Sequence, residues 1–247
     1  MNQSINFLNV NVEGDRHLSQ IKKLLDNKKP DVVCFQEVLE KDIPFFIGAG
    51  YAHHFVPMKS YYVAEREEFT TEGILTMWNK QFTLVCKHVH AYFTVLGAFE
   101  DRKGNRAPND GDRPLLVVEL SDGERMYRIG NTHFFWTPDG GVTEEQLVTL
   151  ETMFTALDTH NDSTGIILSG DFNAPRGRET WERIAARYKD NIPRQIVTTI
   201  DQELHKKKGL MYVVDGVFSS PEYIVSDAEV IEGVSDHKAV FARIARA

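Results

Sequence analysis

Five segments of this chain end in the same unusual way: an apolar, strand-like run stops in groups able to bind a divalent cation or a phosphate. They are FLNVN (Asn9, Asn11), CFQEV (Gln36, Glu37), IGNTHF (Asn131, His133), LSGDFN (Asp171, Asn173) and VSDHKAV (Asp236, His237), and YVVDGVF adds Asp215 inside a sixth apolar run. Singly, each has a plain structural reading. Asn or Asp after a strand closes an Asx-turn, a Glu can sit in a surface ion pair, a lone His can be a hydrogen-bonded structural residue, and a buried Asp needs only a partner. Together, those readings would require the same accident at the end of nearly every central strand. Ligands of sheet-based folds collect beyond strand ends, so the repetition predicts one shared cleft.

The intervening sequence is that of an α/β chain. SINFLNV (4–10) reads as a strand, DRHLSQIKKLLDNK (15–28) spaces Leu18, Ile21, Leu24 and Leu25 as a helix ended by Pro30, and DVVCFQEV (31–38) is a buried strand. Further strands are expected near 51–56, 72–78, 82–89, 114–120 and 126–133, with hairpin turns at Asn79-Lys80 and at SDGE (121–124). TEEQLVTLETMFTALDTH, from residue 143, reads as a helix with Thr143 as N-cap. GIILSG (165–170) is again a strand and RETWERIAARY (178–188) again a helix, followed by strands in GLMYVVDGVFSS, EYIVSDAEVI and HKAVFARI. No linker, repeat or low-complexity tract marks a boundary, so residues 1–247 are read as a single domain. The polar, turn-rich stretch 97–114 is either a surface loop or a substrate-facing one.

Composition narrows the function. The net charge of −8 opposes broad binding to duplex nucleic acid, although carboxylates gathered for a cation also make a chain acidic. No apolar run approaches the roughly 20 residues of a membrane span, and MNQSINFLNV lacks the features of a signal peptide, so a cytoplasmic location is expected. Cys34 and Cys86 are too few for a thiolate metal site, and Cys34 reads as core packing. There is no GxSxG, no Cys with a His partner evident from the sequence, and no GxxxxGK[ST], which leaves water as the attacking group and excludes a P-loop NTPase. Carboxylate and amide oxygens favour Mg²⁺ or Mn²⁺, with Glu37 the foremost ligand candidate.

Taken in order, LNVN, QE, NTH, GDFN, VDGVF and SDH resemble the endonuclease/exonuclease/phosphatase family. That superfamily includes DNase I, the exonuclease III-type abasic endonucleases, tyrosyl-DNA phosphodiesterase 2, the neutral sphingomyelinases and the inositol polyphosphate 5-phosphatases. The resemblance covers essentially the whole chain. It implies a DNase I-like four-layer α/β/β/α sandwich, in which two mixed sheets pack face to face with helices outside. It also implies roles. Glu37 would bind the metal directly, Asn9 and Asn11 would shape the metal and water site, and Asp236 would complete that side. Asp171 would orient or deprotonate the attacking water, with Asn173 touching the scissile phosphate. His237 would stabilise charge developing on phosphate, Asp215 would hold and polarise that imidazole, and His133 would assist the leaving oxygen.

GDFN followed by APRG is more similar to the nuclease and tyrosyl-phosphodiesterase branches, so the expected activity is metal-dependent hydrolysis of a phosphodiester, on a single-stranded or end-modified nucleic acid or a nucleotide end. The alternatives are a phosphomonoesterase acting on a small or lipid-linked phosphate, and a non-catalytic binding module. Phe135 and Trp136 could stack a base or pack under a loop. Arg113, with Arg102, Lys103 and Arg106, could meet phosphates or remain solvated. Asp215-Gly216-Val217 departs from the family, in which an aromatic residue or Arg often follows the Asp, and so lacks a side chain available to substrate.

Overall fold

The structure, a computed structural model, describes residues 4–48, 50–63, 66–93, 111–159 and 165–247. In chain order these form β1 (Ile5–Asn11), α1 (Leu18–Lys28), β2 (Val32–Leu39), α2 (Ile43–Ile47), β3 (Tyr51–Val63), β4 (Glu68–Asn79), β5 (Thr83–Phe93) and β6 (Arg113–Ser121). They continue with β7 (Met126–His133), α3 (Glu144–Thr159), β8 (Ile167–Asp171), α4 (Glu179–Arg187), β9 (Lys189–Asp190), β10 (Asp215–Ser219), β11 (Tyr223–Ile231) and β12 (Ala239–Arg246). Arg102, Lys103, Arg106 and most of the 97–114 stretch lie outside the described residues.

The strands make two six-stranded sheets, ordered β11-β12-β1-β2-β4-β3 and β5-β6-β7-β8-β10-β9. Each is mixed: β1/β2 and β7/β8 are parallel pairs, and their neighbours in the sheets are antiparallel. Phe7, Cys34 and Ile74 of the first sheet cluster with Leu116, Ile129 and Ile167 of the second, which joins the sheets through an apolar core. Leu8, Val10, Val33 and Phe35 point the other way, onto Ile21, Leu24 and Leu25 of α1 and Phe46 of α2. Leu150 and Met153 of α3 and Trp181 and Ile184 of α4 belong to the larger cluster with the second sheet. The result is the α/β/β/α sandwich. Among the described residues no helix is long and apolar enough to cross a membrane.

Local chemistry accounts for most of the elements. Thr143 Oγ1 accepts the Gln146 N–H at 3.1 Å and caps α3, and α1 stops where Lys29 turns left-handed ahead of Pro30. Asp122 Oδ1 accepts N–H groups from Glu124 (2.9 Å) and Arg125 (2.7 Å), closing the β6–β7 hairpin at SDGE.

Three expectations are corrected, and one helix was not expected. Helix α1 begins at Leu18 rather than 15, because residues 12–14 are tied to β2 by Val12 N–H to Gln36 O and Gly14 N–H to Glu37 O, both 3.0 Å. The Asn79-Lys80 turn is not a hairpin: β4 already pairs with β2 and β3, so the chain passes from one sheet to the other. Residues 209–214 are not strand, since Thr199 N–H takes the Tyr212 carbonyl at 2.9 Å and holds the segment away from the sheet. The short helix α2, IPFFI, has too few residues for a helical period to show.

Candidate active site

The polar strand ends do meet. They come from β1 and β2 of one sheet and from β7, β8 and β10 of the other, so the site lies across the seam between the sheets. The buried Asp171 carboxylate, at the end of β8, is its centre. Its Oδ2 lies 3.1 Å from Asn11 Nδ2, 3.6 Å from His133 Nε2 and 3.8 Å from His237 Nε2. Its other oxygen accepts the Asn173 N–H at 2.9 Å, so the Asx-turn and the site are one structure. Asn173 itself has φ 50° and donates from Nδ2 to Phe134 O at 3.2 Å.

Glu37 reaches the cleft because β2 bulges there. Phe35 pairs with Leu75 and Val38 with Gly73, so Gln36 and Glu37 together face one partner residue, and Glu37 adopts φ 57°. Gly73 is required opposite the bulge: a Cβ would lie 2.1 Å from Val56 O. The half-buried Glu37 carboxylate accepts Asn11 Nδ2 at 3.1 Å and stands 3.8 Å from His133 Nε2.

His237 and Asp215 form a buried pair, Nδ1 to Oδ2 at 2.9 Å. Burial opposes charge on His237, but Asp215 and Asp171 outweigh it and raise its pKa well above the usual imidazole value. His133 behaves oppositely: burial, only partly countered by Asp171, lowers its pKa to about 4 and leaves it neutral. Asp171 is raised, by burial and by Asp215, against the pull of His237. Asp236 is raised by burial, opposed by His237 and reinforced by the negative charges of Glu37 and Glu13.

The other expected residues fall into place unequally. Asn9, expected at the metal site, is fully buried two residues before the strand end, where its Oδ1 accepts Gln36 Nε2 at 3.0 Å. Gln36 also donates to Asn131 Oδ1 at 2.8 Å, and Asn131 donates to Phe35 O, Leu75 O and Thr76 Oγ1. These amides are a buried floor beneath the cleft and join the two sheets. Arg113, whose solvated reading fails, is 1% exposed; burial lowers its pKa, and Tyr92, Glu37, Glu72 and Asp171 pull the other way. Phe135 packs into the core, whereas Trp136 is half-exposed and lines a recess beside Asn173 and His237. Gly216 does not face substrate: a Cβ there would meet the rings of Phe218 at 2.6 Å and Phe172 at 2.9 Å, so the aromatic core takes the space.

Three features escaped sequence reasoning. Thr199 Oγ1 accepts the Val214 and Asp215 N–H groups at 3.0 and 3.1 Å, and its carbonyl takes the Lys238 N–H at 2.7 Å. One buried threonine thus ties the Asp215 strand to the residue after His237. His205, whose ring lies 6.4 Å from that of His237, and Tyr212 belong to the same irregular segment, which has no periodic signal. Cys86 does have an imidazole neighbour, with His88 Nε2 3.0 Å from its Sγ on the edge strand β5; alternation along that strand could have suggested the pair.

The donor set suits a hard cation. Ligand atoms of Asp171, Asp215 and His237 lie within 4.8 Å of one another, but the His237 imidazole is charged and paired with Asp215, so the donors left to a cation are carboxylates. Glu37 and Asp236 concentrate further negative charge on the same side, and no thiolate takes part.

The sequence model of the Endonuclease/Exonuclease/phosphatase family matches residues 7–237. No curated protein matches. Solved structures do. An endonuclease/exonuclease/phosphatase of Bacteroides vulgatus is 15% identical, with 99% of this chain and 100% of that one covered and a TM-score of 0.76. The human Nocturnin catalytic domain, solved with a bound sulfate anion, is 16% identical, with coverage of 99% and 94% and a TM-score of 0.73. A mannosyl-6-phosphatase of Bacteroides thetaiotaomicron is 12% identical, with coverage of 98% and 99% and a TM-score of 0.72.

Proposed function

Because the chain belongs to the Endonuclease/Exonuclease/phosphatase family, whose members hydrolyse phosphate esters, we propose that it is a divalent-metal-dependent phosphodiesterase acting, as a single cytoplasmic domain, on a nucleic-acid or nucleotide end. The observation that carries the reading is the position of Asp171 Oδ2, with Asn11, His133 and His237 all within 3.8 Å and a charged imidazole among them.

Each residue has a task set by its state. Asp171, with its raised pKa, is a stronger base than an ordinary carboxylate and takes a proton from the attacking water, while Asn11 fixes the carboxylate's orientation. His237 enters charged, so its Nε2–H is available to a phosphate oxygen that gains negative charge in the transition state. Asp215 holds that ring through Nδ1 and keeps it protonated. The neutral His133 accompanies the leaving oxygen, and the Asn173 amide orients the phosphate. Buried cationic Arg113 sustains a field favourable to an anion.

Glu37 and Asp236, with Asn11 beside them, would hold Mg²⁺ or Mn²⁺, which when bound neutralises phosphate charge and lowers the pKa of water. Asn9 supports this set from below through Gln36. The test is release of 4-nitrophenol from bis(4-nitrophenyl) phosphate with and without EDTA, in wild type, Glu37→Ala and His237→Ala. Activity surviving in both variants, with circular dichroism unchanged, would refute the assignment. Inorganic phosphate released from monoesters, with diesters left uncut, would move the reading to a monoesterase.

A further inference from the structure

Asn173 and His237 face two ways. Beyond the carboxylates and imidazoles, they also form one wall of a recess of about 250 Å³. The rest of its lining is largely carbon and includes Trp136, Tyr212, Ile200, Leu210 and Val214. The Arg178 guanidinium stacks over Tyr212, 5.2 Å from the ring centre, and donates to Asp139 O at 2.6 Å, which steadies that ring in the wall. Lys207 and Asp139, also on the lining, satisfy each other at 3.2 Å.

Size and lining select the occupant. Pockets for drug-sized ligands run to about 300–1,000 Å³, so this volume suits one ring system better than an acyl chain or a duplex. A hexose or inositol ring would set its hydroxyls against Ile200, Leu210 and Val214 and lose water with little in return. A nucleobase presents two apolar faces to aromatic rings and needs polar partners only at its edge. His205, which is only partly buried and lines the same recess, carries one such group.

We propose, resting on the phosphoesterase reading above, that this recess is a base subsite. It takes the base of the nucleotide that carries the scissile phosphate, stacked on Trp136 and Tyr212 beside His237. The substrate class is therefore a nucleotide or nucleotide end, rather than a sugar phosphate or a phospholipid.

Two diesters that share a leaving group and a deoxyribose isolate the base: thymidine 5′-(4-nitrophenyl phosphate) and its abasic counterpart, 1,2-dideoxyribose 5-(4-nitrophenyl phosphate), each with Mn²⁺. The expected kcat/KM is about tenfold or more higher for the thymidine ester, chiefly through KM, and the ratio falls toward one in Tyr212→Leu. Equal kcat/KM for the two esters in wild type overturns the base subsite and leaves the hydrolase intact. Failure to turn over either ester overturns the hydrolase reading instead, and the subsite is then decided by binding. Trp78 and Trp181 are buried and Trp136 is 36% exposed, so Trp136 provides a fluorescence readout in the unaltered protein. Thymidine 5′-monophosphate should change the emission saturably, and ribose 5-phosphate at the same concentration should not. An equal response to both, or none to either, overturns the proposal.

Discussion

His237 Nδ1 lies 2.9 Å from the fully buried Asp215 Oδ2, so the ring's orientation depends on that carboxylate and its proton on Asp215 together with Asp171. In EDTA-treated protein, the His237 imidazole should titrate above the ordinary value near 6.5 by NMR, and Asp215→Asn should return it toward that value. A base whose pKa rises on folding contributes stability fully below its unfolded value, and loses that contribution as pH rises through the folded value. Asp215→Asn should therefore destabilise the metal-free protein more at pH 6 than at alkaline pH in paired urea melts. A cost that grows with pH would contradict the ion pair.

Asp171→Asn keeps the shape of the turn and removes the base. Turnover of a diester should fall about 10²–10⁴-fold, while calorimetric Mn²⁺ binding stays measurable through Glu37. A near-normal rate would leave the turn as the residue's whole role.

Glu37→Gln should raise the Mn²⁺ concentration for half-maximal activity at least about tenfold, with little change in melting temperature, because the half-buried side chain stabilises the cleft more than the core. Unchanged metal dependence would move the ligand elsewhere.

Thr199→Val strands the buried Val214 and Asp215 N–H groups, which should cost about 1–3 kcal/mol. Thr199→Ser keeps the oxygen and should recover most of that loss in the same denaturation assay. Diester hydrolysis should follow the hydroxyl, lower in Val and near wild type in Ser. Equal behaviour of the two variants would argue for packing rather than hydrogen bonding.

The parts of this molecule legible in sequence are those with a period or a partner close by. The Leu18, Ile21, Leu24, Leu25 spacing marks α1, Asp122 with SDGE marks a hairpin, and the polar ends of β1, β2, β7 and β8 mark the cleft. Partners were not legible: Asn9 and Asn11 look alike in LNVN and both are buried, yet Asn9 bonds Gln36 in the floor while Asn11 reaches Glu37 and Asp171. Nor did sequence distinguish a solvated Arg113 from a buried one, or assign Gly216 to the aromatic core rather than to substrate. Thr199 and Tyr212 act through an irregular segment whose geometry comes from long-range backbone bonds, and no local pattern encodes those.

The position of β12 between β11 and β1 also couples closure of a sheet to assembly of the site. One edge of β1 is covered by β2, close by in sequence, and the other only by the distant β12. His237 lies two residues before β12. A single long-range pairing therefore both closes the middle of this sheet and brings the imidazole to Asp171, so a chain that loses the β1–β12 pair loses both at once.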